Sequence, residues 1–402
     1  MMRNVVLVDG VRTGFGKIGG TLKQFTMTDL AAKAVDALLE KTAIYERGGK
    51  VDGFYFGSAF YDPETHAPAR FTVFKSKLPE DVWTAFVERQ CGSAIEALNH
   101  AAGTIMMGAA DVMMIGGAES FSTLAAKIAM NTEPCKMTPP KIYWPQLQSP
   151  KPEQSIDMIQ TAENVAALYG ITRQECDAFA ARSQQRAAAA WEKGYFDEEV
   201  VPVVIPGTRK TPEIVFKTDE FMRPGTTEET LAKLSSVKPG GVVTAGNASG
   251  RNDGAGCLLI MTEEKAAELG YEPFARFVMA GNSALDPCIM GLGPVGASLD
   301  ALKRAGLKID DIDLWECNEA FAAQNLGVLR GLKEATGYTI NEDNWNPNGG
   351  AISFGHPNGA SGTRIAMFTM RELARRKARY GLFTSCCGGG LGVSTIIENL
   401  RR

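Results

Sequence analysis

Histidine is scarce in this chain. His66, His100 and His356 are the only three in 402 residues, so imidazole chemistry has few candidates. Eight cysteines are present, at 91, 135, 176, 257, 288, 317, 386 and 387, and no two form a Cys-x-x-Cys pair. That absence argues against a structural zinc site. Reduced, buried thiols are expected for most of them, with a reducing address, cytoplasmic or else an organelle matrix. No run of about 18 apolar residues occurs, so no membrane span is expected. No secretory apolar region precedes the first strand-like run, Val5-Val6-Leu7-Val8. Neither charge sign dominates: Lys plus Arg is 42, Asp plus Glu is 46, and the net charge is -4. A nucleic-acid partner is therefore not expected.

What is present has an α/β rhythm. Val5 to Val8, Gly53 to Ser58 and Asp111 to Gly117 are apolar runs of strand length, and Asp29 to Leu39 and Ser93 to Met107 repeat apolar residues at helical spacing. The middle changes character. Pro134, Pro139, Pro140, Pro145, Pro150 and Pro152 crowd an extended, irregular excursion. A helix pair follows, Thr161 to Leu168 and Arg173 to Lys193, with Thr172 and Glu175 as a capping box and Gly194 as a stop. Polar, Gly-rich sequence then runs to about Gly250, and residues 121–251 read as an inserted domain. The alternation resumes from Phe277, with helices at Ala301 to Ala305, Phe321 to Leu332 and Ala360 to Lys377, and strands at Ile312 to Glu316 and Tyr380 to Ser385. A weak internal repeat is visible. Cys91 and His356 each precede a helix, then a strand ending in glycines at Gly116-Gly117 or at Gly388-Gly389-Gly390.

Four motifs carry chemistry. Gln90-Cys91-Gly92-Ser93 lies just before a helix, where backbone N–H groups and the helix dipole favour a thiolate; a lowered pKa and a nucleophilic role toward a thioester are expected. The plainer alternative is a buried structural thiol. Cys386 precedes Cys387 and three glycines. It suits a proton donor or acceptor, with the Gly388 N–H near an oxyanion, or else a tight turn after a buried strand. His356, in Gly355-His356-Pro357-Asn358-Gly359, suits a base toward a thiol or a donor to a thioester oxygen; the alternative is a loop histidine capping a turn. Asn318, before an apolar helix, reads by spacing as a helix N-cap and otherwise as a carboxamide holding a water. Arg371, Arg375, Arg376, Lys377 and Arg379 read as a solvated helix end, and Met106, Met107, Met113 and Met114 as core.

Taken in order, these motifs resemble the thiolase family of acetyl-CoA acetyltransferases and 3-ketoacyl-CoA thiolases. The likeness also includes Val11-Arg12-Thr13, Gly116-Gly117-Ala118-Glu119-Ser120, Thr161-Ala162-Glu163-Asn164 and Thr244 to Gly250, then Asn252-Asp253-Gly254-Ala255, Asn318-Glu319-Ala320-Phe321 and Asn348-Gly349-Gly350-Ala351. The resemblance implies duplicated βαβαβαββ halves in a five-layered α-β-α-β-α core with an inserted loop domain. The halves would be 1–120, completed by 252–273, and 274–402, with 121–251 binding CoA. It implies Cys91 as the acylated nucleophile, Cys386 as the thiol that moves the α-proton, and His356 as activator of Cys91. Asn318 would hold a water, and the Cys91 and Gly388 N–H groups would form a second oxyanion hole. Ser249, Arg223, Ala245, Ala320, Phe321, Met158 and Met290 would contact CoA or the acyl group. CoA and acyl-CoA would be substrates, with no cofactor or metal and with a homodimer or homotetramer as the assembly.

The departures from the family pattern also have positions. Asp157-Met158-Ile159-Gln160 stands where His-Met-Gly is common, Arg251 where a small apolar residue usually follows Ser-Gly, and Asn358 where isoleucine or leucine usually follows His-Pro. Ala118 replaces a frequent Met, and Leu234 to Lys238 lacks a familiar aromatic. These changes put the acyl preference, short chain or longer, at issue. A decarboxylative ketoacyl synthase would lack the second cysteine, so Cys386 argues against it. A non-catalytic CoA-binding protein would not need all four motifs.

Overall fold

Apolar runs become strands in the computed structural model, which describes residues 3–129, 139–143, 148–207, 209 and 211–402. Cys135, Pro134 and Pro145 lie outside the described residues. The first half contributes β1 (Val5–Thr13), β2 (Gly53–Gly57), β3 (Trp83–Val87), β4 (Val112–Ser120) and β5 (Asn252–Thr262). The second contributes β6 (Ala275–Ala284), β7 (Leu314–Cys317), β8 (Tyr380–Cys387) and β9 (Leu391–Asn399). Their hydrogen-bonded order is β7-β8-β9-β6-β1-β5-β4-β2-β3. The two halves meet at a short seam, where Val6 faces Arg276 and Leu7 faces Ala275.

The halves repeat one plan. β1, β5 and β4 are mutually antiparallel neighbours, and β2 and β3 add in parallel. β6, β9 and β8 follow the same order and sense, with β7 added in parallel. The place of β3 is held in the second half by a single bridge between Trp315 and Trp345, whose buried rings stack with centroids 5.9 Å apart. Burying a large apolar side chain stabilises the fold by about 1.5–3 kcal/mol.

Helices complete five layers. They are α1 (Met27–Thr42), α2 (Ser93–Met106), α3 (Met158–Tyr169), α4 (Arg173–Glu192), α5 (Gly293–Ala305), α6 (Ala322–Thr336) and α7 (Asn358–Arg376). Leu30, Ala34 and Leu38 of α1 pack on Phe54, Met114 and Leu259 at one outer face. Ile95 and Leu98 of α2 share a core with Ile365 and Met370 of α7, between Met113 and Ile115 of one half and Leu314 and Phe383 of the other. α3 to α6 cover the opposite outer face, around Trp315, Leu382 and Ile396. The expected α-β-α-β-α layering is therefore present. The Thr172–Glu175 capping box is formed, and Gly194 takes φ 69° after α4. Between β4 and α3 the described strands are only the pairs Lys127–Ile128 and Ile142–Tyr143. Among the described residues no helix is long and apolar enough to cross a membrane.

Two readings of the sequence change. Arg371 is not part of a solvated end: it is 5% exposed, pairs with Asp9 at 2.6 Å and Glu198 at 3.1 Å, and lies over the Phe274 ring. α7 is the central helix, so its polar residues meet other elements rather than water. Met107 is 80% exposed, because it follows the last turn of α2 and leaves the core there.

The central layer depends on close backbone approach. A Cβ on Gly359 would fall on the Ala118 carbonyl oxygen and lie 2.6 Å from that of Gly57. Both obstacles are strand backbone and cannot yield. Gly359→Ala should therefore lower the stability measured by denaturant unfolding by about 3 kcal/mol. Gly103, in α2, has open space where a Cβ would stand. Gly103→Ala should raise stability by about 0.5–1 kcal/mol through helix propensity. Equal effects of the two substitutions would contradict the packing argument.

Candidate active site

Cys91 sits in a 3-10 turn, Gln90–Gly92, that leads into α2, and Gln90 there takes φ 48°. His356 holds the equivalent position before α7. Its N–H reaches Gly250 O at 3.3 Å and Asn252 Oδ1 at 3.1 Å. Cys386 is the next-to-last residue of β8, opposite Gly392 of β9, and the turn that follows has Gly389 and Gly390 at φ 83°. One cavity of about 380 Å³ brings Cys91, His356 and Gly388 together. Met158, Met290, Ala320 and Phe321 line it, and the same four side chains pack around the fully buried Cys386.

The proton inventory follows from burial. Cys91 is 8% exposed, and burial pushes its thiol up to about 12. Its own N–H and that of Gly388 oppose the shift by donating to sulfur, while the Glu119 carboxyl adds to it. The lowered pKa expected from the helix start is thus overturned, because desolvation outweighs the dipole here. Burial also pushes the Cys386 thiol well above its ordinary range, and the neighbouring Cys91 reinforces this. His356 goes the other way, down to about 3, through burial and then the positive charge of Arg364. Neutral thiols and a neutral imidazole therefore share the resting site.

The network assigns the tautomer of that imidazole. His356 Nδ1 lies 2.6 Å from Ser361 Oγ, which itself donates to Pro357 O at 3.1 Å. Nδ1–H therefore donates to Ser361, and Nε2 keeps its lone pair. Asn318 Nδ2 approaches that Nε2 at 3.3 Å. Asn318 is no helix cap: α6 begins at Ala322 with Phe321 at the cap position. Its Oδ1 is buried and has no protein partner among the described residues. The adjoining Glu319 fixes the loop, accepting from Ser183 Oγ at 2.6 Å, Asn346 Nδ2 at 2.9 Å and Ile352 N at 3.2 Å.

Other expected residues divide. Ser249 and Ala245 line the same cavity. Arg223 does not; it borders an adjacent depression of about 270 Å³ that shares Ala245, with its guanidinium near the Phe221 ring. His100 is exposed and pairs with Glu96 at 3.0 Å, one turn back along α2. Cys387 faces the central core, not the cavity. Three positioning groups were not foreseen. Ser361 orients the imidazole, and only its spacing from His356 across the helix start hints at it. Arg364 is a buried cation over the Phe368 ring, visible in sequence only as a charge within an apolar helix. Glu119 accepts from Ser58 Oγ at 3.0 Å, Ala59 N at 2.9 Å and Gly359 N at 3.3 Å, so it ties β2 to α7 beneath the cavity.

Known proteins share this fold and much of this sequence. Residues 5–264 match the family described as thiolase, N-terminal domain, and residues 271–399 match thiolase, C-terminal domain. An acetyl-CoA acetyltransferase of Syntrophomonas wolfei is 42% identical, over 100% of both chains. A 3-oxoadipyl-CoA/3-oxo-5,6-dehydrosuberyl-CoA thiolase of Escherichia coli is 41% identical, over 99% of this chain and 100% of that one. The solved human mitochondrial 3-ketoacyl-CoA thiolase in complex with CoA superposes with TM-score 0.89 at 37% identity, covering 99% of this chain and 98% of the other. With both domain models matched and these relatives aligned end to end, the chain belongs to the thiolase family.

Proposed function

We propose that this protein is an acyltransferase that cleaves 3-ketoacyl-CoA with CoA and, in reverse, condenses two acetyl-CoA to acetoacetyl-CoA. The observation that carries this is the convergence of Cys91, His356 and Gly388 on one cavity, with Cys386 beneath it. Residues 121–251 are read as the CoA-binding loop domain. Cytoplasmic residence and assembly as a homodimer or homotetramer complete the proposal and rest on the family likeness.

The neutral resting groups suit cleavage. Cys91 Sγ attacks the 3-keto carbon while its proton passes to His356 Nε2, the nitrogen left free by Ser361. The bond between C2 and C3 breaks, and its electron pair goes to C2 as an enolate. The Cys386 thiol protonates that carbon, releasing acetyl-CoA and leaving an acyl group on Cys91. Free CoA then gives its thiol proton to Cys386, and its sulfur attacks the acyl carbonyl. Cys91 departs as a thiolate and recovers its proton from His356. The protonated imidazole, with the Asn318 carboxamide and a water it would hold, faces the enolate oxygen. The N–H groups of Cys91 and Gly388 face the tetrahedral oxyanion. Each such donor is worth on the order of 10²–10³ in rate. An imidazole whose pKa is held near 3 carries charge only while an anion faces it.

Purified protein with acetoacetyl-CoA and free CoA should lose the enolate absorbance of the substrate; no loss with any 3-ketoacyl-CoA would refute the proposal. Cys91→Ala should lower acyl exchange between acetyl-CoA and CoA by roughly 10⁴-fold. Cys386→Ala should keep part of that exchange while cleavage falls about 10³-fold, and equal loss of both would contradict the division of roles. At neutral pH the ultraviolet absorbance of a thiolate should not differ between the wild type and Cys91→Ser, since a thiol at about 12 is protonated there. A difference at pH 7 would show a resting ion pair instead. Ser361→Ala should reduce kcat about 10-fold with little change in KM, and Ser361→Thr, which keeps the hydroxyl, should restore most of it. A matching rise in KM would mean Ser361 only shapes the pocket.

A further inference from the structure

Arg251 is the one unneutralised charge on the wall of the catalytic cavity among the described residues. The segment around it runs beside the catalytic histidine: Arg251 and His356 form a parallel bridge, and Ile18 N donates to Arg251 O at 3.0 Å. The next residue, Asn252, is fully buried and donates to Gly16 O at 2.9 Å. Alternation along extended backbone turns the Arg251 side chain the opposite way. Arg251 and Asn358 both line the cavity, as do Phe60 and Phe121, whose rings meet edge to face at 5.3 Å. The Arg251 guanidinium makes no hydrogen bond, ion pair or ring contact among the described residues, and it is solvent-accessible.

The cavity's other charged lining group does not serve as its partner. Asp157 is taken by Lys238 Nζ at 2.8 Å and by the first turn of α3, through Gln160 N at 2.9 Å. His356 is neutral. A cation thus lines the cavity that Cys91 and His356 share, with no described residue to answer it. A methyl-ended acyl chain would gain nothing from a guanidinium and a carboxamide. A carboxylate would gain charge-assisted hydrogen bonds from the planar fork. Arg223, by contrast, lies in the adjacent depression beyond Ala245.

We propose that the preferred substrate is a 3-ketoacyl-CoA whose acyl chain ends in a carboxylate, a 3-oxo dicarboxylic acid thioester, and that Arg251 receives that carboxylate. The inference rests on the thiolase reading above and names the substrate class for it. Thiolysis of such a substrate yields acetyl-CoA and a dicarboxylic acyl-CoA two carbons shorter.

The test compares kcat/KM for thiolysis of 3-oxoadipyl-CoA and 3-oxohexanoyl-CoA, equal in chain length and differing in the terminal carboxylate, with acetoacetyl-CoA as a third substrate. The wild type should favour the carboxylated substrate by roughly 30-fold. Arg251→Leu should erase or invert that ratio, and Arg251→Lys should restore part of it, keeping the charge without the fork. Unchanged thermal unfolding of both variants would separate this from loss of fold. A wild-type preference for 3-oxohexanoyl-CoA would overturn the proposal. So would an equal fall on all three substrates in Arg251→Leu, which would place the guanidinium on the CoA moiety they share. Cleavage of none of the three by the wild type would instead overturn the thiolase reading itself.

Discussion

The close contact between the start of α7 and the strand ends of the first half is the constraint on which the rest depends. Gly117 in β4 and Gly359 in α7 each stand where a Cβ would strike the other's backbone or its neighbour's. Gly362 is pressed in the same way against α2, where a Cβ would lie only 2.6 Å from Ile95 N. Without side chains at these points, two helices from different halves of the chain share one layer between the sheets. Their N-terminal turns then lie side by side, and those turns carry Cys91 and His356. A duplicated architecture thereby becomes one asymmetric site. Equivalent positions in the two halves hold a thiol in one and an imidazole in the other.

Burial in that layer also sets the chemistry. A dry site penalises stored charge, so the thiols and the imidazole rest neutral and protons move only when a reaction demands it. The surrounding charges are held apart from the reacting atoms. Arg12 is fully buried and satisfied by Asp219 at 2.7 Å and Glu199 at 2.8 Å, under the faces of Phe15 and Phe196. Arg364 lies over Phe368, 4.0 Å from Glu316, whose carboxyl burial drives well above its usual range. The positive charge of Arg364 helps to keep His356 unprotonated. Glu119 and Glu319 anchor the two loops that flank the cavity. These carboxylates hold the loops through their hydrogen bonds.

The cavity wall carries several of this chain's departures from the family's pattern. Cys91, His356, Cys386, Asn318 and Gly388 match the catalytic pattern, whereas Asp157, Arg251 and Asn358 are departures that all line the same cavity. The reacting groups come from turns locked by backbone contacts between the halves. The group proposed to select substrate, Arg251, comes from the loop side of the cavity, with the half-buried Asn358 at the α7 start.

Much of the fold was legible because it is local. Apolar runs such as Val5 to Val8 and Val112 to Ile115 are strands, and Thr172 with Glu175 caps a helix three residues away, an interaction that spacing alone describes. The repeat around Cys91 and His356 was visible for the same reason, and ordered motifs carried the family likeness. What spacing could not supply was surroundings. The Asn318 side chain meets His356 rather than capping a helix, and Arg371 meets Asp9, 362 positions away. Cys91 has a helix start beside it in sequence, yet its pKa rises, because the β8–β9 turn and the second half bury it. Sequence by itself determined the order of strands and helices and the family likeness. Only the tertiary structure decided their protonation, their partners and the charge on the cavity wall. Those depend on burial and Coulomb interactions between residues hundreds of positions apart, which no local pattern records.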